Sequence, residues 1–150
     1  MLPTIADKKS SVSAFFLERT SKRMKQFFQE RLTAAQTDIT IDQWVVLQEL
    51  QRQDGQSQMD IARATYKDAA TLTRIIDLLC KKELTKRVAD DTDRRRFNVF
   101  LTQDGHTKIA DVLPIIQECR SRAWAGLSDE AVDHLVKTLN HIYDNLTAPS

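Results

Sequence analysis

The sequence is short of residues that bend or loosen a chain, with three glycines and three prolines in 150 positions. That scarcity excludes a collagen-like or loop-dominated protein, and it leaves little material for a glycine loop that cradles phosphate. No GxGxxG, P-loop or HExxH pattern occurs. Cysteine is equally scarce: Cys80 and Cys119 are too few for a disulfide scaffold, and neither stands in a CxxC or Cys/His spacing. A structural metal is therefore not expected. The three histidines, His106, His134 and His141, have no neighbouring triad or metal-ligand arrangement, so no catalytic residues are assigned and an enzyme is not expected. No apolar run approaches the ~18 residues that cross a bilayer. The start Met1-Leu2-Pro3-Thr4 lacks the basic and apolar regions of a secretory signal. The expectation is a soluble, cytoplasmic protein with no membrane partner.

What is present is enough to build a core: 41% of residues are hydrophobic and 29% charged, a balance typical of a globular chain. The net charge of +1 hides a division. Residues 1–36 hold seven Lys/Arg against three Asp/Glu, residues 63–96 hold ten against six, and the remainder holds five against twelve. Two basic zones offset by acidic ones produce a local field that attracts a polyanion while the whole molecule stays near neutral.

Helical spacing dominates the pattern. From Ser11 to about Ala35, Val12, Phe15, Phe16, Met24, Phe27, Phe28 and Leu32 recur at mixed intervals of three and four, predicting one long amphipathic helix. Thr40 or Asp42 caps a second helix carrying Trp44, Val45, Leu47 and Leu50, which stops near Asp54-Gly55. Ser57 caps a short third. A fourth opens at Asp68 and runs to about Lys82.

That fourth helix has two contrasting faces. At about 100° per residue, Leu72, Ile75, Ile76 and Leu79 form a core stripe. Lys67, Ala70, Arg74, Asp77 and Lys81 lie opposite, with Thr71 and Thr73 on the flanks near the N-terminal end. Small and hydroxylated residues around one arginine let such a face approach a rigid surface, and a major groove about 12 Å wide admits a helix. Two short β-favouring runs follow, 84–89 and 96–101, around the charged tip Asp90-Asp91-Thr92-Asp93-Arg94-Arg95. Short helix, turn, second helix and two-stranded ribbon is the order of a winged helix-turn-helix.

The stretch Asp68-Ala69-Ala70-Thr71-Leu72-Thr73-Arg74-Ile75-Ile76-Asp77, followed by Lys81-Lys82-Glu83-Leu84, resembles the recognition helix of MarR-type transcription factors, the multiple antibiotic resistance regulators. Asp93-Arg94-Arg95, then Leu101-Thr102 and Asp104-Gly105, is similar to that family's wing and helix-opening sequence, at the same separation. The resemblance implies a mainly α fold with a small β-hairpin wing: a winged helix-turn-helix domain over 37–102 and a helical dimerisation region from 1–36 and 103–150. It implies that Arg95 reaches the minor groove and that Asp93 holds it through a charge-assisted hydrogen bond. Arg94 is then a phosphate contact or simply exposed. Ser57, Thr71, Thr73 and Arg74 complete the DNA-facing set, with Lys67 placed where a phosphate would lie. Glu83 departs from the family, which usually has Gly there; if the backbone at that point is left-handed, a non-Gly residue costs about 1–2 kcal/mol.

Thr102 caps a further long helix with Pro114 as an expected kink, and Ser128 caps a last one carrying Val132, Leu135, Val136, Leu139, Ile142, Tyr143 and Leu146. This is more apolar surface than a lone terminal helix can hide. A twin copy would bury it and present two recognition helices to half-sites about 34–36 Å apart. The expectation is a homodimeric repressor on a pseudo-palindromic operator in double-stranded DNA. No cofactor is called for, although the family is generally released by a small molecule, often an aromatic acid, or by cysteine oxidation. Cys80 and Cys119 read first as inert thiols, with redox sensing as the second reading. The competing reading is a helical protein–protein interaction module that uses the same apolar surplus and binds no DNA.

Overall fold

The computed structural model describes residues 13–149. Ser11 and Val12, expected at the head of the first helix, and residues 1–10, which include the stretch read for a secretory signal, lie outside the described residues. Six helices and three short strands follow in order: α1 (Ser13–Ala34), α2 (Ile41–Arg52), β1 (Gln56–Ser57), α3 (Gln58–Thr65), α4 (Ala69–Lys81), β2 (Thr85–Ala89), β3 (Phe97–Leu101), α5 (Gln103–Ala123) and α6 (Asp129–Thr147).

Most helix starts are set by one side-chain oxygen. Thr40 accepts from the Gln43 amide while the Gln43 side chain reaches back to the Thr40 amide, a complete capping box. Ser57, Asp68, Thr102 and Ser128 each accept from the amide three residues on, opening α3, α4, α5 and α6. The second helix ends two residues before the predicted Asp54-Gly55: Gln53 is already extended, and Gly55, at φ 73°, instead turns the chain into β1. α5 continues through Pro114 as one helix.

β3 is the central strand of an antiparallel sheet ordered β1-β3-β2. Gln56 and Arg87 both face Val99 across the sheet, so one row spans all three strands. The two-residue strand β1 was not expected from the sequence. It exists because Val99 and Asn98, more than forty residues away, supply its partners, and Asp54 strengthens the edge by accepting from the Leu101 amide at 2.9 Å.

The core gathers Leu32 of α1, Trp44, Val46, Leu47 and Leu50 of α2, Ile61 of α3, the α4 stripe, Val99 and Leu101 of β3, and Ile109, Val112 and Ile116 of α5. All are essentially removed from solvent. Gly105 lets α5 seat against the root of the wing, since a Cβ there would lie 2.2 Å from the Leu84 carbonyl oxygen. Thr102 completes the joint, its amide donating to Leu84 O at 3.1 Å and its hydroxyl to Glu83 O at 2.6 Å. Glu83 sits at φ 61°, the left-handed region that the sequence flagged.

By contrast, no residue of α6 is buried. Its Tyr143 stands edge-on to Tyr66, ring centres 5.5 Å apart. No helix among the described residues is long and apolar enough to cross a membrane.

Candidate nucleic-acid interface

α4 divides as its sequence predicts. Leu72, Ile75, Ile76 and Leu79 are buried, and Thr73, Arg74, Asp77, Leu78 and Lys81 are exposed on the other side. The hydroxyls on that side are already committed. Thr71 donates to Asp68 at 2.9 Å, and Thr73 donates to the Ala69 carbonyl at 2.9 Å while accepting from Gln58 at 3.3 Å. Arg74 makes no hydrogen bond or ion pair among the described residues. Its donors, like the ammonium of Lys81 at the other end of the helix, are open to an incoming acceptor. The Asp68 carboxyl is held below its ordinary range by the Thr71 amide and hydroxyl, which keeps the cap charged.

The wing tip is built by aspartates. Asp90 accepts from the Thr92 amide at 2.9 Å and hydroxyl at 2.8 Å, and from the Asn98 side chain at 3.4 Å. The Thr92 amide and hydroxyl are the largest causes of its lowered pKa. Asp93 accepts from the Arg95 backbone amide at 3.0 Å. This differs from the expected grip on the Arg95 guanidinium: Asp93 shapes the turn that presents Arg95 and leaves its head group unengaged. Arg94 and Arg95 are exposed at the tip.

Two expected contact residues sit differently from their sequence placement. Ser57 is 6% exposed and its hydroxyl caps α3, so it organises the helix-turn-helix from within. Lys67 is folded against Asp42 at 2.9 Å with its side chain 15% exposed, where the sequence placed it beside a phosphate. Asp42 also takes Lys25 of α1 at 3.2 Å. Burial pushes the Asp42 carboxyl up, but the hydrogen bonds and charges of the two lysines outweigh it and hold the group below its ordinary 3.8. This triad ties α1, α2 and the turn before α4.

Sequence reasoning did not single out Arg87 of β2. Its Nη2 lies 2.5 Å from Asp77 and its Nε 2.9 Å from Gln58, joining the ribbon to both helices of the helix-turn-helix. The basic spacing around it gave no signal, because its partners are ten and twenty-nine residues away.

An exposed helix face with an open arginine, braced to a ribbon with an arginine tip, defines a winged helix-turn-helix of the nucleic-acid-binding type. Residues 39–97 match the model of the MarR family. Among solved structures, the chain is similar to S. aureus MepR in a DNA complex: 29% identity, 88% of this chain and 96% of that one covered, TM-score 0.80. It is similar also to Bordetella bronchiseptica BpsR, whose DNA binding is regulated by 6-hydroxynicotinic acid, at 28% identity over 88% of this chain and 98% of that one, TM-score 0.79. A mutant E. coli MarR complexed with operator DNA shares the fold at 19% identity, TM-score 0.80, over 93% and 99% of the two chains. Residues 39–97 are thus similar to the MarR family, and the solved structures that the chain resembles over most of its length include DNA-binding regulators.

Proposed function

We propose that the protein is a ligand-responsive repressor: a homodimer that binds a pseudo-palindromic operator in double-stranded DNA in the cytoplasm, without catalysing a reaction. The observation that carries this reading is the division of α4, with four apolar residues locked in the core and Arg74 open on the far side. Arg74 is the base reader of the set, since an arginine forks onto a guanine edge with about 1–3 kcal/mol of discrimination. Arg95 enters the neighbouring minor groove, and Arg94 meets phosphate. Thr71 and Thr73 pack close to the bases, while Ser57, Lys67 and Asp93 support the interface from behind.

The dimer reading rests on two helices of the proposed arm, residues 1–36 and 103–150, around the proposed DNA-binding domain 37–102. α6 leaves Leu135, Val136, Leu139, Ile142, Tyr143 and Leu146 exposed by 37% or more, and α1 leaves Phe15, Phe16 and Leu17 in the same state. Their charges are complementary. α1 carries Arg19, Lys22, Arg23, Lys25 and Arg31 against Glu18 and Glu30, and α6 carries Asp129, Glu130, Asp133 and Asp144 against Lys137. A second copy satisfies both surfaces.

Ligand response is supported by a groove of about 1170 Å³ between α1 of the arm and α2 and α4 of the DNA-binding lobe. Ile41, Ile75 and Leu78 give it an apolar wall, and its rim carries Lys22 and Lys25 beside Glu30 and Asp42, a combination that suits a small aromatic molecule with a polar group. Filling it would press on the helix that carries Arg74.

The decisive experiment is a salt titration of duplex DNA binding. Contact with several phosphates makes log affinity fall steeply and linearly with log salt. A flat or absent response rejects the reading in favour of a protein-interaction module.

A further inference from the structure

Arg87 occupies the middle of β2, opposite Val99 on the row that spans the whole sheet. Its side chain is 27% exposed and is bonded on two edges. Nη2 donates to Asp77 Oδ1 of α4 at 2.5 Å, and Nε donates to Gln58 Oε1 at the head of α3 at 2.9 Å. With its oxygen so engaged, the Gln58 amide turns its nitrogen toward Thr73 Oγ1, 3.3 Å away. One guanidinium thus reaches α4 twice, directly through Asp77 and through Gln58 to Thr73.

Resting on the DNA-binding reading above, we propose that Arg87 is a positioning residue for DNA recognition: it clamps the wing to the recognition helix and fixes the angle between them before the duplex arrives. Asp77 separates a clamp from a simple phosphate contact. An acid 57% exposed on the helix side offered to a polyanion repels the ligand. Simple electrostatics therefore makes Asp77 a liability, and its replacement by a neutral amide should tighten binding. Its place in the structure is instead to take one tine of a planar fork whose other tine is held by Gln58, a task that needs the fixed geometry of arginine. A lysine in position 87 keeps the charge and cannot serve both acceptors. The ion pair also cancels its own charge, so Arg87 adds little to phosphate neutralisation and acts through geometry: recognition helix and arginine tip meet one duplex only if their mutual angle is set.

The test uses the full-length protein and a duplex of about 30 base pairs, long enough for two half-sites one turn apart, recovered by the parent protein from a random pool. Asp77→Asn, Arg87→Lys, Gln58→Ala and the Asp77→Asn/Arg87→Lys double variant are titrated across salt, with thermal melts alongside. The clamp predicts that Asp77→Asn and Arg87→Lys each weaken binding about fivefold or more, that the double variant is no worse than the poorer single one, and that the salt slope stays at the parent value. Gln58→Ala, which leaves both charges in place, weakens binding in the same direction. Asp77→Asn binding as well as or better than the parent overturns the proposal. So does parent-like binding by Arg87→Lys, which would make Arg87 a point-charge phosphate contact. A parent protein with no salt-dependent binding overturns the DNA reading and the clamp with it, whereas a binding parent beside an unaffected Asp77→Asn overturns the clamp alone.

Discussion

α4 and α6 are written in the same language and end in opposite situations. Each opens on a side-chain cap, Asp68 for α4 and Ser128 for α6, and each carries an apolar stripe at helical spacing. In α4 that stripe is buried to 8% exposure or less; in α6 its members from Leu135 onward range from Leu135 at 37% to Leu146 at 83%. Periodicity specifies which face of a helix seeks burial, but not where the partner is. For α4 the partner is the chain's own core; for α6, on the reading proposed here, it is a second copy.

The largest effect is expected from a cut into the α4 stripe. Ile76→Ala removes a fully buried side chain and is expected to lower unfolding free energy by about 2–5 kcal/mol, equally at all protein concentrations, as denaturant titration at two concentrations will show. Leu139→Asp on α6 should leave the isolated chain nearly unaffected yet raise the dimer dissociation constant by about thirtyfold or more, roughly 2 kcal/mol, read by sedimentation equilibrium. Equal behaviour of the two variants breaks the contrast.

Arg95→Ala should weaken operator binding at least about tenfold, or roughly 1.4 kcal/mol, with the dimer intact by sedimentation. Glu83→Gly should raise stability by about 1 kcal/mol, since the residue occupies φ 61° without the freedom of glycine; a denaturation midpoint at or below the parent's refutes the strain. The smallest effect concerns Asp42. Its carboxyl is depressed by Lys67 and Lys25, so the pairing contributes stability above pH 3.8 that is lost as pH falls through the lowered value. Because the group is partly exposed, the contribution is on the order of a few tenths of a kcal/mol. The parent should exceed Asp42→Asn in denaturant stability at pH 7, and the gap should narrow progressively as pH falls below 3.8.

Much of this architecture was legible because it is local. Caps at Thr40, Ser57, Asp68, Thr102 and Ser128, the α4 stripe and the hairpin runs all depend on residues within a few positions of each other. The resemblance to MarR-type regulators was legible for the same reason, its two motifs being short and fixed in separation. What escaped was long-range. β1 is two polar residues whose strand character is lent by β3. Lys67 looked free until Asp42, twenty-five positions earlier, proved to hold it. Asp93 was expected on a guanidinium and instead accepts from a main-chain amide, a choice set by the curl of the tip.

The seat of α5 on the wing's root has a mechanical corollary. With Gly105 pressed against the Leu84 carbonyl and Thr102 stitched to residues 83 and 84, the 21-residue helix is anchored by its first turn where the ribbon begins. A rod about 30 Å long turned by about 5° sweeps its far tip through about 2.6 Å. Any small tilt of α5 at that seat would therefore be a larger shift at its distant end.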